Sequence, residues 1–165
     1  MNTEMSETRI WVRSRAWRQK LADPDATAAR AVAAALRNQG VGETGELCVI
    51  LADDRLSRRL NREFRGQDVP TNVLAFPAPK TPQEPSYLGD VVISLSAVTR
   101  EAEAARVPIE HHLSHLVVHG TLHLLGFDHE RSDDAERMER LEADILGSLG
   151  IGDPYQDDHG GTRHG

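Results

Sequence analysis

Six of the eight histidines in this 165-residue chain lie between residues 111 and 129, where an even spread would place about one. Such clustering indicates a metal site, a proton-handling site or an artificial tag. A tag is a poor explanation, because the cluster is internal and its histidines are interleaved with leucine and valine. The fold therefore has to bury apolar side chains and imidazoles together.

Residues 116–127 are apolar on nearly every side of a helix, which predicts that this helix is buried. Two imidazoles on a buried helix need hydrogen-bond partners or a metal ion, since water does not reach them. His119 and His123 are one turn apart on one face, the spacing at which two histidines bind one ion. We predict that both are metal ligands.

A third ligand cannot come from a further turn of this helix. A residue eight positions on would lie about 12 Å from the first, against a zinc–nitrogen bond of about 2.0–2.1 Å. Gly126 lets the chain leave the helix and turn back before Asp128 and His129. We therefore predict a zinc site of His119, His123 and His129, with the fourth position open as in catalytic zinc sites. Asp128 is a candidate to orient one imidazole through its other ring nitrogen.

The other histidines leave two alternatives open. His115 lies four residues before the first predicted ligand, so a pairing of those two residues is a rival metal site. Three buried, hydrogen-bonded histidines without a metal are the second alternative. His111 and His112 are expected to be solvated, and these two residues and His115 are expected to be bystanders of the predicted zinc site. No role is predicted for the remaining two, His159 and His164.

An open zinc position indicates hydrolysis, because the cation lowers the pKa of a bound water to about 7 and polarises a carbonyl or phosphoryl oxygen. Metalloproteases with the His-x-x-x-His spacing carry a glutamate directly after the first histidine as general base. In this chain that residue is Gly120. A peptidase would thus lack its usual general base here, and the residues considered so far do not identify the substrate.

A predicted helix carries five arginines within a sector of about 120°: Arg55, Arg58, Arg59, Arg62 and Arg65. Leu56, Leu60 and Phe64 are predicted on the opposite side. In a chain of net charge −7 this arginine face is the one surface suited to RNA, although a solvated helix face often shows the same pattern. Arg65, at the helix end, is the candidate to enter a cleft and neutralise phosphate charge.

Composition is that of an ordinary globular protein, with 39% hydrophobic and 27% charged residues. We predict one domain over residues 1–156 and a disordered tail over residues 157–165. Cys48 is the single cysteine, so no disulfide within the chain is predicted. It lies in an apolar run and is expected to be a small buried side chain. The chain has no apolar run long enough to span a membrane and no apolar segment near its start, so the cytosol is the expected location.

Strands and helices are predicted without strict alternation. The predicted strands cover residues 9–17, 46–52, 73–76 and 88–94, and the predicted helices cover residues 24–38, 54–65, 96–105, 108–125 and 133–146. Asp133 and Glu136 are predicted to form a capping box at the start of the last helix. This mixture predicts an α+β fold in which one small mixed β-sheet packs against helices, with the metal site at the end of a buried helix.

Three blocks of the sequence resemble the YbeY family of bacterial metal-dependent endoribonucleases. The stretch His119-Gly-Thr-Leu-His123-Leu-Leu-Gly126-Phe-Asp128-His129 is similar to that family's signature H-G-x-L-H-L-x-G-(Y/F)-D-H. Residues 60–77 are similar to L-N-x-x-(Y/F)-R-G…P-T-(D/N)-V-L-S-F-P, and residues 88–94 to L-G-D-(I/V)-x-I-S. Asp153-Pro154-Tyr155 resembles the usual end of the family's domain. The likeness covers about residues 55–155, and the histidine block is highly specific.

The resemblance implies one zinc ion per chain at His119, His123 and His129, with Arg65 facing the metal cleft. It also implies cleavage of single-stranded RNA in maturation of the 3′ end of 16S ribosomal RNA, and a part in ribosome quality control. The implied partners are the ribosomal RNA precursor, the ribosome and proteins associated with it. Ala75 departs from the family, which commonly has serine there, so any hydrogen bond of that hydroxyl is lacking.

Several questions stay open in the sequence. The nucleophile is either water or the RNA 2′-hydroxyl, and no residue is identified as general base. Three imidazoles would also accept nickel or copper. Two rival functions remain: a zinc hydrolase with another substrate, such as a peptidase, and a ribosome-associated binding factor whose metal only holds the fold.

Overall fold

The computed structural model describes residues 8–41, 45–67, 71–79, 82, 87–128 and 131–155. Within these ranges the elements are, in chain order, β1 (Thr8–Val12), α1 (Ala16–Lys20), α2 (Pro24–Asn38), β2 (Glu46–Ala52), α3 (Asp54–Arg65), β3 (Val73–Pro77), β4 (Tyr87–Ser94), α4 (Leu95–Ala105), α5 (Ile109–Leu124) and α6 (Ser132–Ser148). The third predicted ligand, His129, and the predicted tail, residues 157–165, lie outside the described residues.

The four strands form one mixed sheet in the order β1-β2-β4-β3. Strands β1, β2 and β4 are parallel, whereas β3 runs antiparallel to β4 along one edge. Helices α2 and α5 pack together on one side, and α5 also contacts β3 and β4. The α+β fold with a single mixed sheet is therefore confirmed.

Helix α5 is buried as predicted. Its residues that face the core are apolar and inaccessible to solvent. Gly120 lies against the sheet: a Cβ atom built there would be only 2.6 Å from Cγ1 of Val91. The missing side chain thus lets α5 approach β4 closely. Past the helix end, Gly126 has a φ of 103°, a conformation that glycine adopts without strain.

Helix α3 packs against β2 and β4 and has the predicted start and end. Asp53 caps it by accepting a hydrogen bond from the Leu56 backbone nitrogen at 2.9 Å, and Gly66 ends it with a φ of 73°. On its inner side the Ser57 hydroxyl donates to the Thr71 carbonyl at 3.0 Å. This contact holds the segment that enters β3 against the helix.

Two predicted boundaries are wrong. The first strand ends at Val12 instead of Trp17, because Trp17 is fully buried in α1 and its indole nitrogen donates to the Ala52 carbonyl at 3.0 Å. The predicted capping box is also wrong, since α6 begins at Ser132 and the cap residue, Arg131, makes no capping hydrogen bond through its side chain.

Among the described helices none is long and apolar enough to cross a membrane.

Candidate active site

A cleft of about 520 Å³ lies between α5, the edge strand β3 and the end of α3. Its walls are formed by Arg65, Thr71, Asn72, Val73, Ala75, Pro77, His119, His123 and Asp128. Residues far apart in the sequence thus share one cavity. Of the predicted site residues, the structure brings two of the three histidines, the helix-end arginine and the predicted orienting aspartate to this cleft.

His119 and His123 have the close relation expected of residues one turn apart on a helix. Their ring centroids are 4.7 Å apart, and the ring planes meet at 74°. Nδ1 of His119 lies 2.6 Å from Oε2 of Glu142 on α6. Because an ionised carboxylate can only accept a hydrogen bond, Nδ1 carries the proton and Nε2 is the atom through which His119 would bind a metal.

Glu142 has no solvent exposure, and its second oxygen, Oε1, is also engaged. Nε2 of His115 lies 2.8 Å from Oε1, and the Tyr155 hydroxyl donates to the same oxygen. Burial by itself would raise the pKa of the Glu142 carboxyl, but the hydrogen bonds and charges of His115 and His119 outweigh burial and lower that pKa to about 2. Glu142 is therefore an anion that holds both histidines.

Tyr155 ties the end of the described chain to this network. Burial raises the pKa of its phenol, and the neighbouring Glu142 charge and hydrogen bond raise it further. The phenol therefore keeps its proton and acts as a donor to Glu142. Its ring also packs edge-on against that of His115, with centroids 5.4 Å apart.

Arg65 reaches the cleft from the opposite side of β3. Its Nη2 donates a long hydrogen bond, 3.4 Å, to the Ala75 carbonyl. The contact uses the backbone, so the departure from serine at position 75 does not affect it. The other four arginines of the helix are exposed and border a separate surface depression of about 620 Å³, together with Asp54.

The family model described as Endoribonuclease YbeY matches residues 12–150. The chain belongs to the YbeY family. An Endoribonuclease YbeY of Bradyrhizobium diazoefficiens is 48% identical over 158 residues, which cover 91% of this chain and 85% of that protein. One from Azorhizobium caulinodans is 53% identical over 130 residues, which cover 78% of this chain and 81% of that protein.

Among solved structures, the solution structure of TM1509 from Thermotoga maritima is similar with a TM-score of 0.52 and 26% identity. The alignment covers 86% of this chain and 91% of TM1509. The overall fold of this chain is therefore similar to that of TM1509.

The cleft offers imidazole nitrogens, which are among the ligands that zinc prefers. In the part of the chain that the structure describes, no group of three or more His, Cys, Asp or Glu could hold a metal ion. Two of the predicted ligands, His119 and His123, lie in that part, and His129 lies outside it. The hydrogen bond from His119 to Glu142 is the arrangement that fixes ring orientation in histidine ligands.

Two predictions about the remaining histidines are wrong. His112 is not solvated: its side chain is 14% exposed, and Nε2 lies 2.7 Å from Oε1 of Glu101. His115 is not a bystander, because it shares Glu142 with His119. Both errors have one cause, since the carboxylates that bind these rings come from α4 and α6.

Sequence reasoning missed Glu142, Tyr155, Thr71 and Asn72. One signal for Glu142 was available, since it lies one turn from the buried Met138 and so falls on the apolar side of α6. A charged residue at a buried helix position needs partners. Asn72 left no such signal, because its partner Glu101, at 3.1 Å, lies far away in the sequence, on α4.

Proposed function

We propose that this YbeY protein is a zinc-dependent endoribonuclease that cuts single-stranded RNA. Its proposed substrate is the ribosomal RNA precursor, in maturation of the 3′ end of 16S RNA, and it takes part in ribosome quality control in the cytoplasm. The observation that carries the proposal is the shared cleft, in which Arg65 faces the same cavity as His119 and His123. A cation on one wall and imidazoles on another suit a phosphodiester.

One zinc ion per chain would be held by His119, His123 and His129. When bound, zinc supplies a Lewis acid that stabilises negative charge on the scissile phosphate. The role proposed for Arg65 is to bind the phosphate and neutralise charge that develops during the cut. Glu142 keeps His119 oriented, and the Ala75 carbonyl holds the Arg65 side chain at the mouth of the cleft.

Other predicted residues have supporting roles in this proposal. Asp128 lines the cleft and orients a ligand histidine or the substrate. The exposed arginines of α3 dock RNA phosphates outside the cleft: Arg55, Arg58, Arg59 and Arg62. The ribosome and its associated proteins would present the RNA. The domain is proposed to cover residues 1–156, with residues 157–165 as a disordered tail.

The peptidase alternative is weakened by the fold as well as by the sequence. The position after His119 faces the sheet, where Gly120 packs against Val91. A glutamate there would meet the sheet before it reached a substrate. The remaining alternative is a binding factor whose metal only stabilises the fold.

The test measures cleavage of a labelled single-stranded RNA and of a generic peptide by the purified protein, with and without a chelator, together with its metal content. Variants His123→Ala and Arg65→Ala are compared with His111→Ala and Arg37→Ala, which change the same residue types outside the cleft. We expect chelator and both cleft variants to lower RNA cleavage by at least about 100-fold, as loss of a charge-stabilising group does. The two control variants should cleave like the wild type.

Three results would contradict the proposal. Full RNA cleavage by metal-free protein would exclude the zinc mechanism. Cleavage of the peptide but not the RNA would support the peptidase. Folded cleft variants that support normal ribosomal RNA processing in cells would support the binding factor.

A further inference from the structure

Phe64 is the most exposed large hydrophobic side chain in the described residues, with 66% of its surface in solvent. It lies on α3 and packs edge-to-face against Phe76 of β3, with ring centroids 5.2 Å apart and an angle of 61° between the rings. The sequence placed Phe64 opposite the arginines, and that position gave no indication that its ring would be exposed. Phe76 supports the Phe64 ring while leaving most of its surface open.

Each residue of the aromatic pair is a sequence neighbour of residues that line the cleft. Phe64 directly precedes Arg65, and Phe76 lies between the cleft residues Ala75 and Pro77. Successive side chains of a strand alternate between faces, so Phe76 projects from β3 opposite to its two neighbours. Since β3 is an edge strand, a polymer leaving the cleft can pass over that edge and Arg65 to reach Phe64.

Charge and shape favour one kind of occupant. The helix that carries Phe64 is rich in exposed arginines. Arg65, which directly follows Phe64, lines the cleft, whereas the residue before it, Glu63, is an exposed acid. Alternating cations and an exposed aromatic ring bind single-stranded RNA, whose phosphates pair with the cations while an unpaired base stacks on the ring. Bases in a duplex are already stacked on each other and are not offered to a side chain.

We propose that Phe64, supported by Phe76, stacks an unpaired nucleobase of the RNA strand that leaves the cleft over β3, and so contributes the preference for single strands. This inference rests on the proposed endoribonuclease function. It makes Phe64 a residue that determines specificity, whereas Arg65 and the histidines act on the phosphate.

The test compares Phe64→Leu and Phe64→Trp with the wild type. Trp11→Leu is the matched control, because Trp11 is 49% exposed, lies at the opposite sheet edge on β1 and has the Arg13 guanidinium 5.8 Å from its ring centroid. Binding of a labelled single-stranded oligoribonucleotide and of an RNA hairpin is measured with chelator present, so that the probes stay intact. Cleavage of the single strand is measured with zinc.

We expect Phe64→Leu to weaken single-strand binding by about 5- to 100-fold, the effect of losing one base–aromatic stack. Binding to the hairpin stem should change less than twofold, so the preference for single strands falls. Phe64→Trp should keep or strengthen binding, and Trp11→Leu should have no effect.

A second probe series identifies the stacked base. Oligoribonucleotides with one abasic nucleotide, moved along the sequence, should weaken wild-type binding at one position. Phe64→Leu should be insensitive to the missing base at that position, because the two changes remove the same contact.

A folded Phe64→Leu variant that binds and cleaves the single strand like the wild type overturns the stacking proposal. So would equal losses on single strand and hairpin, which indicate a structural role, or an unchanged response to the abasic position. Normal binding of naked RNA with impaired binding of ribosomes would assign the ring to a protein partner instead. Wild-type protein that fails to cleave RNA at all refutes the endoribonuclease function itself, which keeps the two failures distinct.

Discussion

Glu142 is a charged side chain without solvent exposure, and each of its carboxylate oxygens accepts a hydrogen bond from a histidine. Orienting carboxylates of this kind typically change metal affinity 10- to 100-fold, although they never touch the metal. At the scale of single residues, we therefore expect the candidate site to depend on an acidic residue of α6 as well as on the imidazoles of α5.

Replacement of Glu142 by glutamine should weaken zinc binding by about 10- to 100-fold, because the neutral amide no longer fixes the proton on Nδ1 of His119. Titration with a competing chelator measures the dissociation constant. Glu136→Gln, an exposed change on the same helix, should bind zinc like the wild type. Unchanged affinity in a folded Glu142→Gln variant would limit Glu142 to a structural role.

Gly120→Ala should destabilise the protein by about 1–3 kcal/mol, the usual range for overpacking, since its Cβ would lie 2.6 Å from Val91. Gly147→Ala is the matched control on α6, where a Cβ meets nothing within 4 Å and the gain in helix propensity should stabilise by about 0.5–1 kcal/mol. Urea unfolding of both variants measures the change in the free energy of unfolding, which should be a decrease for Gly120→Ala and an increase for Gly147→Ala. A Gly120→Ala variant as stable as the wild type would contradict the close helix–sheet contact.

At the scale of elements, α3 has two chemically different sides. Its inner side, with Ser57 and Asn61, is buried against the sheet and the segment entering β3. Its outer side is cationic, and only the last arginine reaches the cleft. RNA docking and RNA cleavage are therefore expected to be impaired by different substitutions.

The double variant Arg55→Ala/Arg59→Ala should lower the slope of log Kd against log salt for single-stranded RNA by about 1.4, which is about 0.7 for each lost phosphate contact. Arg30→Ala/Arg37→Ala on α2 removes the same net charge from another surface and should leave the slope unchanged. Equal slopes for the two double variants would show that the arginines of α3 contact no phosphate.

At the scale of the whole molecule, the candidate site joins α3, β3, α5, α6 and the segment ending at Tyr155. A metal bound to the folded site, and not to the unfolded chain, stabilises all of these elements together. Free zinc at 100 times its Kd should add about 2.7 kcal/mol, which corresponds to a Tm about 5–10 °C higher for a chain of this size.

Calorimetry with and without zinc measures that shift. His123→Ala, which removes one proposed ligand, should show a much smaller shift, and His111→Ala should match the wild type. A Tm that is indifferent to zinc would argue against a site coupled to the fold.

Much of the fold could be predicted from local signals. The α2 boundaries, the Asp53 cap and the Gly66 end of α3 are confirmed, because capping residues and glycine act within a few positions of themselves. Prediction fails where contacts between residues far apart in the sequence determine the local structure. The burial of Trp17, for example, converts the end of a predicted strand into α1. The exposure of Phe64 was likewise not indicated by its helical position, and its contact with Phe76 joins two elements.

The sequence by itself determined the buried helix, its pair of histidines and the arginine at the end of α3, since helical periodicity alone places such residues on a face. Only the tertiary structure decided which carboxylates bind which histidines. Glu101 and Glu142 reach His112, His115 and His119 from α4 and α6, and hydrogen bonds between separate helices leave no spacing in the sequence. The same holds for the cleft, which exists because α5 packs closely on the sheet at Gly120 while α3 ends across the edge strand.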